Sequence, residues 1–485
     1  MVFSSLIFLY AFLPLSLLVY VLCKGREAKN MSLLVFSLIF YAWGEPKYVL
    51  LLMFMSLCSW FCALRVERAA SRKGKRAWVA VSCAIDIALI GFFKYAGLIC
   101  SVFGEVPEFI ANIALPIGIS FYTFQLLTYV VDVYRGDAEA QPSYLNVLLY
   151  ASLFHQCVAG PIVRYKTIAH ELFVQRDSRD LLSGISRFTV GLAKKTLLAN
   201  PCGALADQLL LSTDAASNAS LFAENLSTLS GLSALGAWVG VAAFMMQIYL
   251  DFSAYSDMAI GMGRMLGLHY LENFDYPYLS KTVTEFWRRW HISLGTFFRD
   301  YVYIPLGGRQ CSKARSVLNL FIVWALTGLW HGAHWNFVLW GLYFFVFILI
   351  ERLFLKRLFA KLHILPHIYL LFVVFVGWIL FHFTDVRLGW TVFLGLFGAN
   401  GNAASDFVSI TLLKNNVFLL AVSAIACTPL VKTMANGAGT RLRRSRSGER
   451  LFNLMAYIVF PIVLLLLSTA SLVGDSYNPF IYFQF

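Results

Sequence analysis

A chain of 485 residues with 59% hydrophobic and only 13% charged side chains lacks the polar surface to cover a soluble fold, which usually carries about 25% charged residues. Lipid is the solvent that fits, and only helices or a closed barrel can span it; apolar runs of about 18 residues or more recur, where barrel strands would alternate. The net charge of +13 is parcelled into short blocks between those runs, which marks topology and argues against a nucleic-acid partner. The expectation is an all-α polytopic membrane protein in contact with membrane lipid. Nine scattered cysteines without a CxxC pair read as reduced packing residues.

In chain order, candidate spans fall near 5–23, 31–43, 48–64, 77–97, 115–133, 144–160, 187–211, 231–264, 317–350, 365–383, 416–434 and 451–472. Some of these read as re-entrant or interfacial, which leaves roughly eleven transmembrane helices. Met1–Tyr20 has no basic n-region and reads as a retained first span. Basic blocks follow the first span (Lys24, Arg26, Lys29), the third (Arg65 to Arg76) and the 317–350 run (Arg352 to Lys361), and another (Arg441 to Arg450) precedes the last span. The positive-inside rule makes all four cytoplasmic, so the N-terminus and the tail from Asp475 onward are expected outside. With no repeat or linker, residues 1–474 read as one membrane domain and 475–485 as an extracytoplasmic tail.

Several stretches carry polar groups into this apolar background. His155 and Gln156 precede Gly160-Pro161-Ile162-Val163-Arg164, which reads as a Pro-broken helix end. Asp251, Tyr255 and Asp257 lie in or beside a span, where unpaired carboxylates are expensive. They are expected either to pair with Arg264 or another arginine, or to line a substrate channel. Residues 270–311 are polar, aromatic and basic around Glu285-Phe286-Trp287-Arg288-Arg289-Trp290-His291 and suit an interfacial or re-entrant helix.

The 317–350 run poses a length problem. As one helix its residues would rise about 51 Å against a hydrocarbon core of about 30 Å, and basic residues flank both ends. A hairpin resolves this, with arms rising about 21–25 Å and its turn at Trp330-His331-Gly332-Ala333-His334, short of the outer surface. Irregular backbone at that depth requires a surrounding cavity, here expected around His331. No HExxH or carboxylate accompanies His331 and His334, so no metal is expected, and a general base is the better use of the imidazole. No G-x-S-x-G elbow or phosphate-binding glycine loop occurs, which leaves serine hydrolases and nucleotide-binding folds without support.

Phe40-Tyr41-Ala42-Trp43, Leu115 to Gln125, Asp251 to Asp257, Glu285 to His291 running on to Arg299-Asp300-Tyr301, and Leu329-Trp330-His331-Gly332 together resemble the membrane-bound O-acyltransferase family. The likeness is to its bacterial branch of alginate O-acetylases and teichoic acid D-alanyl transferases. The resemblance implies a tunnel between a cytoplasmic acyl donor and a hydroxyl acceptor. It assigns the essential histidine to His331 and its polar partner to His291, and leaves His334 without a role. Acetyl-CoA is the implied donor, with no permanently bound cofactor, and a polysaccharide is the final acceptor, reached through an extracytoplasmic SGNH-type partner.

The tail Tyr477-Asn478-Pro479-Phe480-Ile481-Tyr482 reads either as an apolar interfacial anchor or, by the same resemblance, as a motif that presents Tyr482 as a transient acyl acceptor. The expected function is O-acetylation of an extracytoplasmic polysaccharide from a bacterial inner membrane. The competing expectations are transfer of D-alanyl or another acyl group, and a transporter or export channel without chemistry. A transporter should show two related halves, and no such repeat is present.

Overall fold

A computed structural model describes residues 1–157, 160–174, 180–211, 219–359, 361–475 and 477–479. Among them every regular element is a helix, since a helix satisfies its own backbone where lipid offers no hydrogen bonds. Among the described residues, seven helices are long and apolar enough to cross a membrane: Pro46–Arg68, Arg72–Phe103, Ala234–Met265, Trp335–Leu355, Leu365–His382, Phe407–Ala426 and Arg446–Gly474. The difference from the expected eleven lies in shorter or more polar helices. The first predicted span is Phe8–Leu22, and that near 115–133 is Ile119–Arg135. The span near 144–160 breaks at Leu153 into Tyr144–Ser152 and Phe154–Cys157. The 187–211 span belongs to unbroken helical turns from Leu181 to Leu210, with a π-turn at Lys194–Ala199.

Polarity is inverted relative to a soluble fold. Phe407, Phe418, Leu50 and Ile364 are exposed, while Asp132, His155, Lys195 and Asp251 are buried. The apolar outer surface faces hydrocarbon, and the ionisable groups retreat to the interior where partners are available.

Ala234–Met265 is the buried axis of the molecule. Its 32 residues rise about 48 Å, more than the bilayer core, so it tilts or projects beyond it. It packs against the Leu181–Leu210 turns through small residues that let the backbones touch. A Cβ on Gly184 would lie 2.7 Å from the Gly261 carbonyl, and one on Gly191 the same distance from that of Ala254.

The expected hairpin is present. Lys313–His331 begins at Ser312, whose hydroxyl accepts from the Arg315 N–H, and Trp335–Ile350 returns from the turn. The arms cross at Gly328, where a Cβ would sit 2.4 Å from the Phe337 carbonyl, and at Gly341, equally close to that of Trp324. Each arm runs about one polar turn beyond the apolar run, giving 19 residues in Lys313–His331 and 21 in Trp335–Leu355. They therefore rise about 28–31 Å rather than 21–25 Å, and short arms do not fix the depth of the turn.

The 270–311 segment is not one interfacial helix. It is a chain of short pieces, Pro277–Leu279, Val283–Arg289, Ile292–Phe297 and a π-turn at Phe298–Tyr303, tucked beneath the hairpin. Glu351 ties the two together by accepting from the backbone N–H groups of Val283 at 2.5 Å and Thr284 at 3.1 Å.

Candidate active site

His331 is the last residue of its helix, so the carbonyls just before it have no intrahelical donors. Tyr95 and Lys94 supply them: the Tyr95 hydroxyl donates to the Leu329 carbonyl at 2.7 Å, and the Lys94 ammonium donates to that of Trp330. The chain then leaves the helix in extended conformation at Gly332, where a Cβ would lie 2.3 Å from the Phe337 ring. Only glycine fits this corner. The His331 imidazole is enclosed by Trp330 and Trp340, each 4.9 Å between ring centroids, and by Phe381 at 5.5 Å. Among the described residues, the ring neighbours of His331 are therefore aromatic side chains from three helices.

His291 sits at the break between Val283–Arg289 and Ile292–Phe297, with left-handed φ of +45°. Such a conformation costs a non-glycine residue about 1–3 kcal/mol and persists only when its surroundings impose it. Asn273 imposes it. Its backbone carbonyl accepts from the Ile292 N–H at 2.9 Å. Its side-chain oxygen accepts from the Ser293 N–H at 3.1 Å and the Ser293 hydroxyl at 2.9 Å, and lies 3.2 Å from His291 Nδ1. The Ser293 N–H can only donate, so the Asn273 atom facing it is the oxygen, and His291 Nδ1 therefore carries a proton. In a neutral ring the lone pair is then on Nε2. That atom is buried with no hydrogen-bond partner among the described residues.

The two histidines share a neighbour. Trp330 lies 5.7 Å from the His291 ring as well as against His331, and Phe252 closes the other side of His291 at 4.8 Å. Trp287 joins the same cluster, 5.3 Å from Trp340 and 5.1 Å from Trp324. His334 does not: its side chain is exposed as the N-cap position of the returning arm. Arg288 is exposed too, and Arg289 pairs with Glu285 on the surface at 2.8 Å.

Arg164 holds Asp300 at 3.0 Å and stands over the Tyr301 ring. Tyr301 donates to buried Asp132 at 2.6 Å. Beside the His291 turn is a crevice of about 40 Å³ lined by Pro161, Arg164, Glu272, Ser293 and Thr296. A wider depression of about 690 Å³ is lined by Arg72, Arg76, Tyr134, Arg135, Lys166 and Asp300. His331 lines neither.

The aspartates of the central helix are paired, Asp257 with an arginine other than Arg264 and Asp251 with a lysine where an arginine was expected. Asp251 meets Lys195 at 2.8 Å, both only 1% exposed. Asp257 meets Arg187 at 2.5 Å and Lys194 at 2.6 Å. Tyr255 is buried beneath Phe3, their rings 5.5 Å apart. Lys195 also donates to the Pro479 carbonyl, which brings that residue against the interior of the bundle. The Tyr477 hydroxyl donates to Asp207 at 2.5 Å. Asn478 accepts from Ser4 and from Asn200, each at 3.2 Å. Tyr482 lies outside the described residues.

Lys94, Asn273 and Lys195 were missed by sequence reasoning. Lys94 had a signal, a lone cation within an apolar run. Lys195 had a similar signal, a cation inside the 187–211 span, and Asn273 had none, because its role arises from contacts with a separate turn.

Fold and site define a polytopic helical membrane protein that carries two imidazoles around one indole in its interior. The sequence profile of MBOAT, the membrane-bound O-acyltransferase family, matches residues 52–393; the chain belongs to that family and is an O-acyltransferase. Relatives include "Probable alginate O-acetylase AlgI" of Azotobacter vinelandii, 33% identical with 100% of both chains covered. "Peptidoglycan O-acetyltransferase" of Helicobacter pylori is 29% identical over 83% of this chain and 80% of the relative. "Teichoic acid D-alanyltransferase" of Bacillus subtilis is 26% identical over 48% of this chain and 58% of the relative.

Proposed function

We propose that this protein transfers an acetyl group from cytoplasmic acetyl-CoA to the Tyr482 phenol, for delivery to an extracytoplasmic polysaccharide across a bacterial inner membrane. His331 acts as the base: it takes the phenol proton as oxygen attacks the thioester carbonyl, and returns a proton to the departing CoA thiolate. A positioned imidazole contributes about 10²–10⁴-fold to such a step. A phenol, with pKa about 10, is more easily activated than a sugar hydroxyl. Its ester is also the more reactive donor, so the relay divides one hard transfer into two easier ones. A nucleophile on an SGNH-type partner then takes the acetyl group from Tyr482 and passes it to the polymer.

The observation that carries this reading is the inward course of the tail, fixed by Asp207, Ser4, Asn200 and Lys195. The described part of the tail ends at Pro479, three residues before Tyr482, a stretch that spans at most about 11 Å when extended. Asn478 also donates to the Ser4 carbonyl, so these two residues share one face, which supports the expectation that both are extracytoplasmic. The depression bearing Arg72, Arg76, Arg135 and Lys166 includes part of the block assigned to the cytoplasm and suits the phosphates of CoA. Alginate and peptidoglycan, the polymers in two relatives' names, share sugar-ring hydroxyls, which makes a polysaccharide the acceptor class.

The test is mass spectrometry of the purified protein after incubation with labelled acetyl-CoA. Label is expected on the C-terminal peptide, absent in Tyr482→Phe, and formed about 10²–10⁴-fold more slowly in His331→Ala. Label that persists on that peptide in Tyr482→Phe rules out the relay, and label at the full rate in His331→Ala rules out the base.

A further inference from the structure

The Arg72–Phe103 span contains a π-turn at Gly91–Tyr95. In a regular helix of 3.6 residues per turn, adjacent side chains diverge by about 100°; a π-turn changes that spacing and is frequent at functional sites. Here the adjacent Lys94 and Tyr95 both address the last turn of Lys313–His331, donating to the carbonyls of Trp330 and Leu329. Those carbonyls lie at the negative pole of the helix, where a cation is favoured.

Lys94 is buried, and its other acceptor is the Ser120 hydroxyl at 3.2 Å. Both acceptors are neutral oxygens, an unusual setting for an ammonium at membrane depth unless the site needs it. The Trp330 carbonyl belongs to the peptide group that carries the His331 nitrogen. Fixing that oxygen fixes the peptide plane from which the His331 side chain springs. The Lys94 ammonium also lies 5.8 Å from the centroid of the Trp330 ring, the indole that contacts both histidines.

We propose that Lys94, with Tyr95 in support, is a positioning residue for the transfer reaction, clamping the helix end so that His331 is held in its working orientation. This rests on His331 being the base. A misplacement of about 1 Å in such a group can cost about 100-fold in rate.

The test measures CoA release from acetyl-CoA by full-length protein in proteoliposomes, for Lys94→Met, Lys94→Arg and Tyr95→Phe, each alone and combined with His331→Ala. In Lys94→Met, the rate constant of the first-turnover CoA burst is expected to fall about 10–100-fold, with the acetyl-CoA concentration that half-saturates it within about threefold. Lys94→Arg should recover most of that loss, and Tyr95→Phe should lose about 3–10-fold. In the His331→Ala background, Lys94→Met should remove less than about a further twofold, because the two act as one unit. An unchanged burst rate in Lys94→Met, or the same fold loss with and without His331, overturns the clamp and leaves the base reading standing. Full activity of His331→Ala alone removes both. Should Lys94→Met fail to fold, Tyr95→Phe carries the same comparison.

Discussion

Lys195 illustrates how much a single residue decides here. It is 1% exposed and paired with an equally buried Asp251, and it also holds the Pro479 carbonyl. Removing one partner strands the other charge without water, which costs about 3–5 kcal/mol, whereas replacing both with apolar side chains is near neutral. Lys195→Met and Asp251→Leu are each expected to lower the denaturation midpoint sharply, and the double substitution to restore most of it; additive losses in thermal unfolding would refute the pairing. His269 gives a pH-dependent case outside the spans. Its ring nitrogens face Asp180 at 2.9 Å and Glu171 at 2.7 Å, and the hydrogen bond to Asp180, then that to Glu171, raises its pKa against the opposing effect of burial. A raised histidine stabilises the fold fully below about pH 6.5, its unfolded value, and that contribution is lost as pH rises through the folded value. His269→Gln should therefore lower the melting temperature at pH 6 and much less at pH 9. The presence of buried carboxylates was legible in the sequence, because bare charges in lipid need partners. Which lysine answers which aspartate was not, since packing of segments some sixty residues apart sets it.

At the scale of elements, the hairpin was the most legible feature. Its length and its two basic flanks admitted no single span, and the turn falls where those constraints put it. What they left undetermined was arm length, since helices continue through polar turns at an interface where long side chains snorkel. The break at His291 was illegible. Trp-Arg-Arg-Trp-His has no glycine or proline, and the left-handed residue is held by Asn273 from outside the segment. The tightest point of the hairpin is Gly332 against Phe337. Gly332→Ala is expected to displace the turn and abolish acyl transfer while the protein still inserts. Adding Phe337→Leu should restore part of the activity by giving the new methyl room. Wild-type activity in Gly332→Ala would show that the turn tolerates movement.

For the whole molecule, the arrangement of charge predicts sidedness. In a background without the nine native cysteines, Arg444→Cys should react with an impermeant thiol reagent only after the cytoplasmic face is opened. Asp475→Cys should react in intact cells, and the reverse pattern would invert the topology on which the relay depends. The class of fold was legible from composition alone, because apolar surface and paired interior charges are what lipid requires. The inward contacts of Tyr477 to Pro479 were not legible, since an apolar terminus reads equally well as a surface anchor.

The anchoring of Tyr477 to Pro479 within the bundle sets a stoichiometry on the proposed relay. An acceptor tethered to its own catalyst can be loaded once per chain and must be emptied before it is loaded again. Without the partner, mixing with acetyl-CoA should release a burst of one CoA per protein and then stall. The donor pool is thereby shielded from wasteful hydrolysis, and the pace of turnover passes from the membrane enzyme to whatever unloads it.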